Sequence, residues 1–352
     1  MIPSDAALQS MPSVTVVLVA WNSERRLPQT LLALRQQSNP PPALLVVDNA
    51  SSDGTVRTVR ELFPNAAVLR NFRNVGFARA ANQGIKLSRT PYVLVLTPDV
   101  MLEPSALRVL LAAATFHPEA AGFTPKMLRR EPDDVDAMVP PPVTTPVVDA
   151  AGLAMSRTRS AGNRGEGERD LGQYDRTEPV FGCPGACALF SRSALEAVAV
   201  NGEYFDEDFF AYKEDVDLAW RLQLGGFASW YVPSAVAYHL RRVRKPPISW
   251  GGCRAARRAM PRSLRLQSFI NQHVMLVKNE QLRNFLRDAP PIIGRELQWL
   301  ALSLTTEPFL WRGILRLWRM LPATLRKRRQ ILRQSKVRPE EIRAWFTKKL
   351  ER

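Results

Sequence analysis

VTVVLVAWN, residues Val14 to Asn22, decides how the rest of the chain is read. It is a continuous apolar run ending in a polar tip, the pattern of a strand buried on both faces of a parallel sheet. Outward from it, Ser23 to Gln37 has helical spacing through Leu27, Leu31, Leu32 and Leu34, and Pro40-Pro41-Pro42 stops the helix. ALLVVDNASSDGT follows as a second buried strand, with Asp48 and Asn49 at its end and Ser51, Ser52 and Asp53 as helix-cap candidates. AAVLRNFRNVGFARAANQGI predicts a strand to about Arg70, a polar turn with Asn71, Arg73 and Asn74, then Gly76 and a helix. YVLVLTPDVML predicts a fourth strand that ends at Thr97, Pro98 and Asp99. Four strand–helix alternations in about 100 residues predict a doubly wound, mostly parallel α/β sheet.

Open α/β sheets bind ligands outside the C-terminal ends of their strands. Four consecutive strands here end in polar tips: Asn22, Asp48-Asn49, Arg73-Asn74 and Asp99. One such tip is an ordinary solvated loop, whereas four in sequence predict a binding crevice. No Gly-x-Gly-x-x-Gly follows the first strand and there is no Walker loop. The crevice offers a carboxylate–amide pair, an Arg and a lone Asp beside a Pro. Those groups suit a uracil or thymine edge, a diphosphate and an oxygen-loving divalent cation.

The second informative stretch is NGEYFDEDFFAYKEDVDLAWRLQLGG, residues 201–226. At 100° per residue, Asp215 shares a helix side with Leu218, Ala219 and Leu222, while Asp217 and Trp220 point elsewhere. A carboxylate on that side must look into a pocket or bear a desolvation cost, and the helix dipole favours its ionised form. The competing reading is an acid-rich helix entrance that caps itself.

In family order, VVDNASSDGT, NVGFARAANQGI, LVLTPDV and FDEDFFAYKEDVDLAWRLQLGG resemble the signatures of family 2 glycosyltransferases with the GT-A fold. The closest subgroup is the rhamnosyltransferase-like enzymes of bacterial polysaccharide assembly. The resemblance covers about Val14 to His239. It implies an inverting transferase acting from a nucleotide-diphosphate sugar, either dTDP-rhamnose or a UDP-hexose, in cell-envelope polysaccharide assembly. It also implies that Ala20, Trp21, Asn22, Asp48 and Asn49 hold the base and ribose. Arg73 and Asn74 would border the nucleotide, and Gly76 would let the backbone come close. Thr97-Pro98-Asp99 replaces the family's Asp-x-Asp motif, which leaves Asp99 as its one charged ligand for Mg2+ or Mn2+. The family places a metal-binding His at His239, although a lone His after a strand also reads as a structural residue. Asp215 takes the role of general base, with Glu214 shaping the acceptor site or the helix start.

Charge is unevenly spread. The net charge of +16 divides into +20 for residues 241–352, with 27 Lys/Arg against 7 Asp/Glu, and −4 for residues 1–240, with 22 against 26. This predicts a catalytic domain over 1–240 and a basic helical extension over 241–352. Such a surface suits anionic lipid and nucleic acid alike on charge alone. Two helices are expected in the extension, about Ser268 to Asp288 and Arg295 to Met320, broken at Pro290-Pro291. LRKRRQILRQSKVR reads as a solvated basic helix. Tryptophans beside arginines predict contact with an anionic membrane surface, unless the apolar face packs on the catalytic domain.

The N-terminus lacks the layout of a signal peptide, and no apolar stretch reaches the roughly 20 residues that span a bilayer. Three cysteines in no metal-ligand pattern predict reduced thiols. The chain is therefore expected in the cytoplasm, peripherally attached to the inner face of the membrane, with a glycan or polyprenyl-linked acceptor. Residues 131–179 read either as a mobile surface loop or as an acceptor-shaping lid. Two rivals are a nucleotidyltransferase of the same sheet class and a nucleic-acid-binding protein using the basic tail. AWNSERR lacks the Gly-rich loop of the first, and the tail holds no recognised module for the second, so no nucleic acid is expected.

Overall fold

A computed structural model describes residues 12–38, 42–130, 146–240 and 260–347. Strand β1 (Val14–Ala20) is buried along its whole length. It pairs in parallel with β2 (Ala43–Asp48), which carries β3 (Ala67–Arg70) on its far side, and with β4 (Tyr92–Leu96) on its other edge. Alternation along β1 divides its side chains between two cores. Val16 and Leu18 meet helix α1 (Leu27–Arg35), whereas α2 (Thr55–Leu62) contributes Val59 to the same layer. Val17 and Val19 meet α3 (Phe77–Leu87) on the opposite face. A strand covered on both sides has no polar face to show, which is why its sequence reads as one apolar run.

Beyond β4 the sheet becomes mixed. Short β5 (Val100–Leu102) and helix α4 (Ala106–Phe116) lead into β6 (Gly122–Arg130), with β7 (Val148–Ala150) on its edge. Strands β8 (Leu153–Ser156) and β9 (Ala161–Asn163) form a small sheet with the C-terminal strand named below, and β10 (Glu178–Val180) returns to the large sheet. β11 (Cys187–Ser191) lies antiparallel between β4 and β6, and α5 (Arg192–Ala197) leads to helix α6 (Glu214–Leu224). β12 (Ser229–Leu240) pairs in parallel with β6 and antiparallel with β5 and β10. The path through the large sheet is β10-β12-β6-β11-β4-β1-β2-β3. Four of its seven neighbour pairs are parallel, so the doubly wound, mostly parallel α/β expectation describes it.

The segment expected to be a loop or lid is structured wherever it is described. From residue 146 it supplies β7 to β10, and its Arg159 is fully buried. Arg159 pairs with Glu280 and with Asp288 at 3.1 Å, and stacks 4.1 Å from the Phe346 ring. Its order comes from partners more than 120 residues away, which no local pattern announces. Residues 131–145 lie outside the described residues.

The C-terminal helices are α7 (Arg262–Asn279), α8 (Leu282–Arg287), α9 (Ala289–Thr305), α10 (Leu310–Arg333) and α11 (Pro339–Ala344), followed by β13 (Phe346–Thr347), which pairs with β8. Pro290 and Pro291 sit in the first turn of α9, where a missing N–H costs nothing, so they start a helix. The expected helix from Arg295 to Met320 is two helices, divided near Thr306–Phe309. Phe269, Ile270, Met275, Leu310 and Ile331 share one hydrophobic cluster with Val216 and Trp220 of α6. The apolar face of the extension therefore packs on the body. The LRKRRQILRQSKVR segment is only partly solvated, because Lys327 is buried against Asp206, at 2.5 Å, and Asp208, at 2.9 Å.

Candidate active site

The polar strand tips converge at one edge of the sheet. Ala20 is buried and its carbonyl accepts from Asn49 N at 2.8 Å, while Trp21 is 53% exposed beside it. Asn22 adopts φ 46° and its Oδ1 accepts from Ser52 N at 2.9 Å. Asp48 is fully buried, accepts from Ser51 N at 3.2 Å and pairs with Arg70 at 3.2 Å. Asn49 works as a clamp: its amide donates to Asn74 Oδ1 at 2.9 Å, and its oxygen accepts from Val75 N at 3.0 Å. Arg73, beside that clamp, is exposed and has no ion pair among the described residues.

At Gly76 the chain comes close to another part of itself. Gly76 lies at φ 87°, and a Cβ there would sit 2.5 Å from the Phe210 carbonyl oxygen. The close approach is thus to the loop before α6, joining the third strand tip to the acidic stretch. A similar reading holds in VFGCPGAC, where a Cβ on Gly182 would lie 2.2 Å from the Ala219 Cβ. That small residue lets α6 pack closely.

Asp99 stands at the end of β4. Thr97 Oγ1 donates to its Oδ1 at 2.7 Å, Arg26 lies 3.5 Å from Oδ2, and His239 Nε2 lies 3.5 Å from Oδ1. Burial alone would raise the Asp99 pKa; His239, Thr97 and Arg26 together hold it below the usual carboxylate range. His239 is brought there by the pairing of β12 with β5, and its Nδ1 lies 2.8 Å from the buried Asp149 carboxylate. Burial would lower its pKa, but Asp149 and Asp99 raise it to about 9. Asp149, missed by sequence reading, orients the ring so that Nε2 faces Asp99, the arrangement metal-binding imidazoles commonly have. Among the described residues no three His, Cys, Asp or Glu side chains form a complete metal cage. Asp99 and His239 therefore fit a divalent cation only as a partial set that diphosphate oxygens would complete.

Helix α6 was expected to bury one side. It is buried all round, and among its 11 residues Asp215 alone is half-buried. Leu218 and Leu222 face the sheet-side core, whereas Trp220 faces the C-terminal helices. Asp217 is neutralised by Lys278 at 2.8 Å and Arg221 at 3.0 Å. Asp215 Oδ2 accepts from Gly185 N at 3.0 Å, and its other oxygen accepts from Val216 N at 2.8 Å. The next residue, Ala186, accepts at its carbonyl from Thr97 N at 3.0 Å. Asp215 and Asp99 thus flank one loop through the hydrogen-bonded chain Asp215–Gly185–Ala186–Thr97–Asp99.

Glu214 has the opposite environment to its neighbour. Burial, reinforced by the charges of Asp215 and Asp217, pushes its pKa to about 8, and its Oε2 has no partner among the described residues. Burial thus favours the neutral form of Glu214, the opposite of what a general base needs. Its folded pKa lies above the unfolded value, so the native state binds the extra proton. Its contribution to stability is then full below about 4.5 and is lost as pH rises through about 8. Melting curves of Glu214→Gln should lose less stability than wild type between pH 6 and 9, by a few degrees at the alkaline end. Parallel curves for the two proteins would remove Glu214 as the titrating group.

The loop leading to these carboxylates is strained. Phe210, Tyr212 and Lys213 have φ of 57°, 70° and 68°, and such backbone costs of order 1–3 kcal/mol per residue unless its surroundings hold it. Asn271 on α7 holds it: its buried amide lies 2.9 Å from both the Phe209 and Ala211 carbonyls and 2.7 Å from that of Tyr212. Gln267 keeps Asn271 oriented at 2.7 Å. Sequence reading placed nothing functional here, because the clamp sits about 60 residues from the loop it holds. Asn271→Leu should lower turnover by about 10- to 100-fold, the usual effect of displacing a reacting group by an ångström. Donor affinity, measured by calorimetry, should stay unchanged; unaltered kcat would show that the loop holds its shape without the clamp.

An open sheet whose strand tips present amides and carboxylates offers a ligand crevice outside the C-terminal ends of its strands, and Asp215 is tied to one of those tips through Gly185 and Ala186. A family model described as "Glycosyl transferase family 2" matches residues 15–199, and one described as "Glycosyl transferase family group 2" matches residues 147–325. The chain is 32% identical over 239 residues to an N-acetylglucosaminyl-diphospho-decaprenol L-rhamnosyltransferase of Mycobacterium tuberculosis, covering 64% of this chain and 75% of that protein. It is 22% identical over 245 residues to a poly-beta-1,6-N-acetyl-D-glucosamine synthase of Staphylococcus aureus, covering 67% of this chain and 52% of the synthase. Its fold is similar to that of GalNAc-T7 solved with UDP, GalNAc and Mn2+, at a TM-score of 0.55 and 12% identity over 77% of this chain and 48% of the other. The protein belongs to glycosyl transferase family 2. It is a rhamnosyltransferase-like glycosyltransferase, and the nucleotidyltransferase reading gives way.

Proposed function

We propose that the protein transfers rhamnose or a hexose from a dTDP- or UDP-sugar to a glycan or polyprenyl-linked acceptor, with inversion at the anomeric carbon. The observation carrying this is the hydrogen-bonded chain from Asp215 to Asp99, which sets an acid anchored on α6 and the Asp99–His239 pair on either side of one loop. The mycobacterial relative, by its name an L-rhamnosyltransferase acting on a diphospho-decaprenol sugar, supports the donor and acceptor classes.

In this mechanism Asp215 takes the proton of the acceptor hydroxyl as that oxygen attacks the anomeric carbon. The bond from that carbon to the diphosphate breaks, and the nucleotide diphosphate leaves with the electron pair. One attack opposite the leaving group inverts the centre and needs no covalent intermediate. Mg2+ or Mn2+ held by Asp99 and His239 would supply positive charge against the departing diphosphate; the Mn2+ in the GalNAc-T7 structure supports that choice. Ala20, Trp21, Asn22, Asp48 and Asn49 would hold the base and ribose, with Arg73, Asn74 and Thr97 bordering the diphosphate. Burial disfavours the ionised form of Glu214, and Asp215, half-buried and anchored by Gly185 N, is the group assigned as base.

The reaction would take place at the inner face of the membrane, with the body of the enzyme in the cytoplasm and no nucleic acid involved. No helix among the described residues is long and apolar enough to cross a bilayer. Exposed Arg312, Arg319, Arg326 and Arg329 on α10 stand near exposed Trp311 and Trp318, a composition suited to an anionic lipid surface. The protein should sediment with anionic vesicles at low salt and be partly released as salt screens the surface charges over about 8 Å. Given dTDP-rhamnose or a UDP-hexose and a diphospholipid-linked sugar, it should yield a chelator-sensitive glycolipid product. No product with any such pairing, together with indifference to vesicles, would contradict the proposal.

A further inference from the structure

The C-terminal helices carry an apolar surface that the transfer chemistry leaves unused. Leu297 and Leu304 on α9 are 60% and 64% exposed, and Leu315 and Trp318 on α10 are 62% and 69% exposed. Where α7, α9 and α10 meet lies a cavity of about 350 Å³, walled by Phe269, Val274, Trp299, Leu317 and Trp318. That volume suits the apolar body of a small ligand or the first part of a long chain.

Part of the cavity wall is polar. His273 Nε2 lies 2.8 Å from Glu296, and Glu296 in turn accepts from Arg295 at 2.6 and 3.2 Å. Arg295 is only 8% exposed, and its Nη1 has no hydrogen-bond partner among the described residues. A buried guanidinium donor left unpaired is unfavourable until an anion completes it. Lys213 stands immediately before the carboxylates of α6 and has no ion pair among the described residues; the charges of both Asp215 and Arg295 act on its ammonium.

We propose that the cavity receives the hydrocarbon of a lipid-diphosphate acceptor, with Arg295 and Lys213 as the cations for its diphosphate and Asp215 as the group for its sugar hydroxyl. This rests on the reading of Asp215 as base and of the acceptor as polyprenyl-linked. Glu296 of the cavity wall holds Arg295, and Lys213 directly precedes Glu214 and Asp215 in the chain, so the apolar wall, the two cations and the carboxylate offer a partner for each group of such an acceptor. Simple attachment to a bilayer calls for the exposed leucines and the surface arginines, but for neither a cavity nor a buried, incompletely paired arginine.

The test is titration of the full chain, in neutral detergent, with a long-chain polyprenyl diphosphate. Emission from Trp299 and Trp318 reports occupancy. The free polyprenyl alcohol, inorganic diphosphate and neutral phospholipid vesicles serve as comparison probes. The diphosphate lipid should saturate the change at concentrations about tenfold below the alcohol, and Arg295→Gln should erase that tenfold advantage without altering alcohol binding. Ser303→Phe, which fills the cavity, should abolish both responses. Leu300→Arg, at a 45% exposed position on its wall, makes the same point should Ser303→Phe not fold. Equal affinity for alcohol and diphosphate, or wild-type binding by both cavity variants, overturns the proposal. So does an equal saturable response to neutral vesicles, which marks bilayer insertion, or a response lost on dilution, which marks a second copy of the chain as occupant. Lipid binding as described, with no transfer from any nucleotide sugar, leaves the cavity assignment standing and overturns the reaction assigned to Asp215.

Discussion

Asp215→Asn is expected to cut sugar transfer by about 10²-fold or more while leaving fold and donor binding intact, because a positioned base contributes 10²- to 10⁴-fold. The substitution removes the proton acceptor but keeps the shape of the side chain. The amide has one oxygen where the carboxylate has two, so it can keep the acceptor of Gly185 N or that of Val216 N, and the contact to Gly185 is the one that holds the loop linking α6 to Thr97. Glu214, one residue away, stays buried in the variant, and that burial still favours its neutral form although the Asp215 charge that also raises its pKa is gone. Initial-rate kinetics with a saturating nucleotide sugar decide the matter. Near-normal kcat in Asp215→Asn would remove this residue from the chemistry.

The second large effect is expected at Asp99. Asp99→Ala should weaken metal-dependent donor binding by about 10- to 100-fold, the usual cost of disturbing the immediate surroundings of a bound cation. A bound donor raises thermal stability by mass action. The variant should therefore show a smaller melting shift with nucleotide sugar and Mn2+, and an unchanged shift with nucleotide sugar alone. Without Asp99, Arg26 loses the carboxylate 3.5 Å away, and His239 keeps only Asp149 at 2.8 Å. A variant whose donor binding responds to Mn2+ as wild type does would show that Asp99 is no ligand.

Much of this architecture is legible in the sequence because it is local. The run from Val14 to Ala20 reads as a doubly covered strand, and in the structure Val16 and Val17 enter cores on opposite faces. The polar tips at Asn22, Asp48, Asn74 and Asp99 follow directly from where each apolar run stops. Asp215 is visible as a carboxylate in a helix start, although periodicity alone could not show that the sheet-side core and the C-terminal helices together bury every other residue of that helix. What stayed hidden depends on long-range pairing. Asp149 meets His239 across 90 residues, and Arg159 meets Glu280 across 121. The basic tail misleads in the same way: Lys278 and Lys327 turn inward to Asp206, so part of its charge is neutralised inside the fold. Those two lysines hold the Asp206 carboxyl well below the usual range, although burial alone would raise it. A charge count along the chain cannot tell such internal partners from a surface.

The most direct test of the account is the anomeric configuration of the product. The enzyme is incubated with a nucleotide sugar of one defined anomer and a diphospholipid-linked sugar, and the new linkage is read by NMR coupling constants. A single displacement with Asp215 as base predicts a product of configuration opposite to the donor, formed by wild type and diminished by about 10²-fold or more in Asp215→Asn. A product that retains the donor's configuration would contradict it.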